Sequence, residues 1–179
     1  MGVLVNQNPV KLIASIIYKD GTSADSAEKR LIRKYGPLTP LERTLPFDFT
    51  DYYEEEFGKP LKRKLICFDK PVDPEKIADV KLTTNKIEDV FREGGKRTVN
   101  IDPGYVTEAK LVLLTTKDYN HRVYLGKRIF AESTLYFQDG TFKPWPWTYP
   151  DYGSEALIAY FNEVRALYAD GRKKRKLRA

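Results

Sequence analysis

Four stretches of this chain place acids, amides and bases inside or beside aromatic, strand-like sequence: RTVNIDPGY, TTKDYNHR, AESTL and WTYPDY, all between residues 97 and 152. Burying a polar group without a partner costs roughly 2–7 kcal/mol, so such segments specify either a dense polar network or a ligand pocket. In NIDPGY, strand alternation puts Asn100 and Asp102 on one face and Val99 and Ile101 on the other. With the apolar pair turned to the core, the amide and carboxylate lie together, where they can orient a water, a sugar hydroxyl or a hydrated metal. A structural alternative needs no ligand: Asp102-Pro103-Gly104-Tyr105 fits a type II turn, with Pro second and Gly third.

The same alternation in RIFAESTLYF sets Glu132 and Thr134 between Phe130 and Tyr136. A glutamate among aromatics is a candidate general acid or base, because desolvation raises a carboxyl pKa. The rival is a cross-strand ion pair with Arg97 or Arg122. His121, the only histidine, clusters with Lys117, Asp118 and Arg122 at a loop-like spacing suited to a phosphate or carboxylate. Asp151 and Ser154 can serve as caps of the last helix. Trp145, Trp147 and Tyr149 could stack on a base or sugar, or close a hydrophobic lid.

The elements that must position these groups can be read in outline. KLIASIIY (11–18) is a buried strand broken at Asp20-Gly21. A helix follows, capped by Ser23 or Asp25, with Ala27, Leu31 and Tyr35 inward and its end at Gly36-Pro37. TLPFDFTDYY aligns Phe47, Phe49, Asp51 and Tyr53, and LKRKLICF (61–68) reads as a further strand. Asp73-Pro74 opens a long helix whose stripe is Ile77, Val80, Thr84, Ile87 and Phe91. Lys81, Asn85, Glu88 and Arg92 run along its edge. With RTVNI (97–101) as the next strand, the order is β-α-β-β-α-β, a ferredoxin-like N-terminal part of an α+β fold.

For 107–118 the pattern predicts a helix capped by Thr107. A hairpin about Gly126-Lys127 and an amphipathic helix over 154–169 follow. That succession would repeat the first element order. The expected organisation is one domain over 1–169 and a basic, disordered tail over 170–179.

Charge supports that division. The chain has 31 Lys and Arg against 25 Asp and Glu, but the last eight residues carry six of the cations, so the body is neutral. One cysteine and one histidine leave no ligand set for zinc and no disulfide framework. A hard divalent cation between Asp102 and Asp151 stays open. There is no G-x-x-x-x-G-K-[ST], G-x-G-x-x-G or G-x-S-x-G motif. No signal peptide or apolar run of membrane-spanning length is visible, and a cytoplasmic protein is the simple reading. The high Lys and Glu content is thermophile-like.

KLIASIIY, FTDYYEEEFG, KLTTNKIED, RTVNIDPGY, TTKDYNHRVYL, AESTL and WTYPDY together resemble a family of uncharacterised prokaryotic proteins known as domain of unknown function 4416. The resemblance spans nearly the whole chain. It implies a single intact domain and brings no activity with it.

From the residues themselves, the leading expectation is a pocket for a small, nucleotide-like anion. Lys117 and Arg122 would hold the anion with Asn100, Thr134 and Asp151 around it, and His121, Glu132 and Asp102 are the candidates for proton transfer. The alternatives are RNA binding on an open sheet face with the basic tail, and a scaffold whose polar clusters are internal ion pairs.

Overall fold

The computed structural model describes residue 2, residues 7–50 and residues 52–177, with the backbone alone at 175 and 176. In chain order the elements are β1 (Lys11–Tyr18), α1 (Gly21–Tyr35), β2 (Arg43–Pro46), α2 (Glu54–Phe57), β3 (Lys62–Cys67), α3 (Ile77–Val90), β4 (Arg92–Glu93), β5 (Lys96–Arg97), β6 (Val99–Val106), β7 (Lys110–Thr115), β8 (Arg122–Gly126), β9 (Ile129–Gln138), β10 (Thr141–Pro144) and α4 (Glu155–Lys176). One 3-10 turn, Pro74–Lys76, leads into α3 and is capped by Asp73.

The fold is mixed α+β. The main sheet runs β10-β9-β7-β6-β1-β3-β2, with β8 beside β9, and the pairings among described strands are antiparallel. The strand β1 is central and buried along its whole length. Its alternate residues serve two cores. Leu12, Ala14 and Ile16 pack under α1 and α3, while Ile13 joins Leu65, Val106 and the α4 residues Leu157, Phe161 and Val164. A side chain of this kind contributes about 1.5–3 kcal/mol when fully buried, so helices on both faces hold the sheet. Cys67 lies in the α4 core, fully buried.

Several sequence expectations are corrected. The segment 107–118 contains the strand β7 (Lys110–Thr115), not a helix. Its Leu111, Val112 and Leu114 are buried between β6 and β9, and a strand covered on both faces loses the period that distinguishes it from a helix. Thr107 does accept backbone N–H bonds, from Ala109 and Lys110, but at a turn. Without that helix the second half does not repeat the first. The α1 cap is Asp20, whose side chain accepts from the Ser23 N–H. Helix α4 continues to Lys176, so the basic stretch expected to be disordered starts as helix. Asp51 lies outside the described residues.

Candidate functional site

The site begins with a parting of two strands. β6 pairs with β1 from Val99 to Val106, but with β7 only from Gly104 to Val106. Where they meet, a Cβ on Gly104 would sit 2.4 Å from the Val112 carbonyl oxygen and 2.9 Å from Leu113 Cδ2. The glycine is there for close approach of backbones, not for a turn. Its φ lies outside the left-handed region and DPGY runs inside β6, which overturns the type II reading. Before Gly104 the strands separate, and β7 continues along β9 through Thr115.

That separation leaves an edge of β6 to be satisfied by other means. The Ile101 N–H donates to Glu88 Oε1 at 2.9 Å, and Lys81 Nζ donates to the Ile101 carbonyl at 2.9 Å. By strand alternation the Pro103 nitrogen faces the same edge, where no donor is required. Burial pushes the Glu88 carboxyl pKa up, against the pull of Lys81, a backbone donor and Arg97.

Asn100 and Asp102 project from β6 on the side away from Val99 and Ile101, as alternation predicts, since the latter pair lies in the α1–α3 core. Asn100 Nδ2 donates to Asp102 Oδ2 at 2.7 Å, and Lys81 Nζ lies 3.5 Å from Asp102 Oδ1. Arg97 donates to Asn100 Oδ1, to Glu88 and, through two nitrogens, to Glu56. Those bonds hold the Glu56 carboxyl below its ordinary range.

Across the opening, Glu132 on β9 faces its cross-strand partner Arg122 on β8. Glu132 Oε2 accepts from Arg122 Nε at 2.9 Å and lies 3.1 Å from His121 Nε2, while Oε1 accepts from Thr134 Oγ1 at 3.2 Å. The His121 ring stacks on Trp147, which stacks on Trp145.

Arg63 on β3 closes the floor. It pairs with Asp151 at 2.5 Å and lies between the rings of Phe47 and Tyr152. The Tyr152 hydroxyl is fully buried with the Ser15 hydroxyl as its partner, and Arg63 Nε is buried without a hydrogen-bond partner among the described residues. An unsatisfied buried group costs about 1–3 kcal/mol, and native folds keep few of them.

These walls enclose a cavity of about 600 Å³, within the range of small-molecule sites. Of the residues singled out in the sequence, Asn100, Asp102, Lys117, Arg122, Glu132 and Asp151 line it. His121 and Thr134 do not, and both sit behind Glu132. Sequence reasoning did not assign Lys81, Glu88, Arg97, Arg63, Tyr53 or Tyr152 to the site, though all six line it. The polar edge of the α3 stripe was the available signal for Lys81 and Glu88.

The lining cations are largely neutralised. Arg63, Lys81, Arg92, Arg97 and Arg122 each pair with a carboxylate. Among the described residues Lys117 has no carboxylate partner; its Nζ donates to the Tyr52 hydroxyl at 2.8 Å and lies over that ring. Tyr52 and Tyr149 are exposed at the mouth. No group of three or more His, Cys, Asp or Glu side chains that could hold a metal occurs among the described residues.

Fold and site together define an α+β protein with a polar, tyrosine-rimmed cavity at a split in its sheet. The chain belongs to the family described as domain of unknown function (DUF4416), which it matches over residues 8–168. Searches of curated proteins and of solved structures found no match. No helix among the described residues is long and apolar enough to cross a membrane.

Proposed function

We propose that the cavity binds a small organic anion. The observation that carries this reading is Lys117: a cation at the mouth of a roomy cavity, without a carboxylate partner among the described residues, beside two exposed tyrosines. The dense ion pairing alone would suit a scaffold, but the cavity beside it favours a guest. Glu132 accepts from Arg122 and Thr134, lies against His121 Nε2 and suits a positioning role; Asp102, partly open to the cavity, is the better candidate to take a proton. A divalent cation between Asp102 and Asp151 has less support, because Asp151 already pairs with Arg63 and accepts the Tyr152 N–H.

RNA binding on an open sheet face is less well supported, since every residue of β1 is buried. We read the order β6-β1-β3-β2 as support for a ferredoxin-like N-terminal part, and a cytoplasmic setting as part of the same proposal. The test is a thermal-shift panel of phosphates, carboxylates and nucleotides. A ligand at 100 times its Kd adds about 2.7 kcal/mol of stability. Lys117→Met is expected to remove most of that gain. An unmoved melting curve across the whole panel rejects the reading.

A further inference from the structure

We infer that the ligand is a phosphorylated polyol, a sugar phosphate or nucleotide, with its anionic end on Lys117 and its hydroxyls on Asp102 and Tyr53. The inference rests on the anion reading above and adds what the interior demands. Cations deeper than the mouth are already matched by carboxylates, so a second anionic group inside would meet Asp102 and Glu88 without a free countercharge. The interior offers hydrogen bonds of both senses instead.

The Asp102 side chain is 30% exposed and is an acceptor held by one amide and one shared lysine. The Tyr53 hydroxyl lines the cavity and makes no hydrogen bond with the described residues. Burial keeps it protonated, with Asp102, Arg97, Tyr152 and Arg63 all within electrostatic reach. It can therefore donate and accept. A hydroxyl is both donor and acceptor and matches such a set, whereas an apolar group would leave it unpaired. The cavity volume admits a pentose phosphate or a mononucleotide.

Isothermal titration of the full chain with ribose 5-phosphate, AMP, inorganic phosphate and ribose tests this. Ribose 5-phosphate or AMP is expected to bind at least roughly tenfold more tightly than inorganic phosphate. Asp102→Asn and Tyr53→Phe, checked by their melting curves, should each cost about tenfold in affinity for the phosphorylated sugar. Both should leave inorganic phosphate unchanged, whereas Lys117→Met should weaken every phosphate. A preference for AMP over ribose 5-phosphate identifies a nucleotide, and parity a sugar phosphate; both support the inference. If Asp102→Asn and Tyr53→Phe bind ribose 5-phosphate like the wild type while Lys117→Met does not, the anion site stands and the inference falls. If the wild type binds none of the phosphates, the inference falls, and the anion reading falls with it only if the carboxylates of the thermal-shift panel also leave the melting curve unmoved.

Discussion

Lys81 and Glu88, two turns apart on α3, bind the carbonyl and the N–H of one residue, Ile101, and so replace a missing strand at the edge of β6. Both side chains are buried. Lys81→Met leaves the carbonyl without its donor and Glu88 without one of its two cations. The expected loss is about 3 kcal/mol in urea unfolding. A loss well below about 1 kcal/mol would mean that the edge is satisfied in some other way.

The two glutamates on Arg97 should respond to pH in opposite senses. Burial raises the Glu88 pKa, so its contribution to stability is fully present below the unfolded value near 4.5 and is lost as pH rises through the folded value. The Arg97 bonds lower the Glu56 pKa, so its contribution is present above that range and lost as pH falls through the folded value. Unfolding of Glu88→Gln and Glu56→Gln followed from acid to neutral pH checks the signs. Relative to wild type, Glu88→Gln should gain as pH rises and Glu56→Gln should lose. Parallel curves would remove the assignment.

Gly104→Ala forces a Cβ against the Val112 carbonyl, a backbone atom that cannot swing aside. Overpacking of this kind costs roughly 1–3 kcal/mol, and here the upper end is expected. Denaturant titration reads it directly, and a neutral substitution would show that β6 and β7 can part further.

The Arg63–Asp151 pair is buried on both sides. Removing one partner, as in Asp151→Leu, strands a charge and should cost about 3–5 kcal/mol, while Arg63→Met combined with Asp151→Leu should recover most of the loss. A double-mutant cycle measures this coupling. Simple additivity of the two single losses would contradict it.

Much of this arrangement was legible from local pattern. Alternation alone put Asn100 beside Asp102, because a strand's period of two does not depend on what it pairs with. It left Arg97 and Arg122 both open as partners of Glu132, which pairs with Arg122. The buried stripe of α3 was equally plain. What escaped was non-local. Lys81 and Glu88 are buried where β7 parts from β6 beyond the Gly104–Leu113 pair, and nothing within α3 announces that departure. Gly104 itself imitated a turn signal while serving a strand crossing. Arg63 sat unremarked in LKRKLICF, since its partner, Asp151, lies far along the chain.

Cys67 has no solvent exposure, and burial also raises its thiol pKa, so in the native state it offers neither access nor thiolate. A disulfide reagent in excess can therefore react only in molecules where β3 has come away from α4. The unmodified chain thus contains a clock for its own opening events, and its labelling rate, set beside the equilibrium unfolding energy, tells whether that layer detaches alone or with the whole.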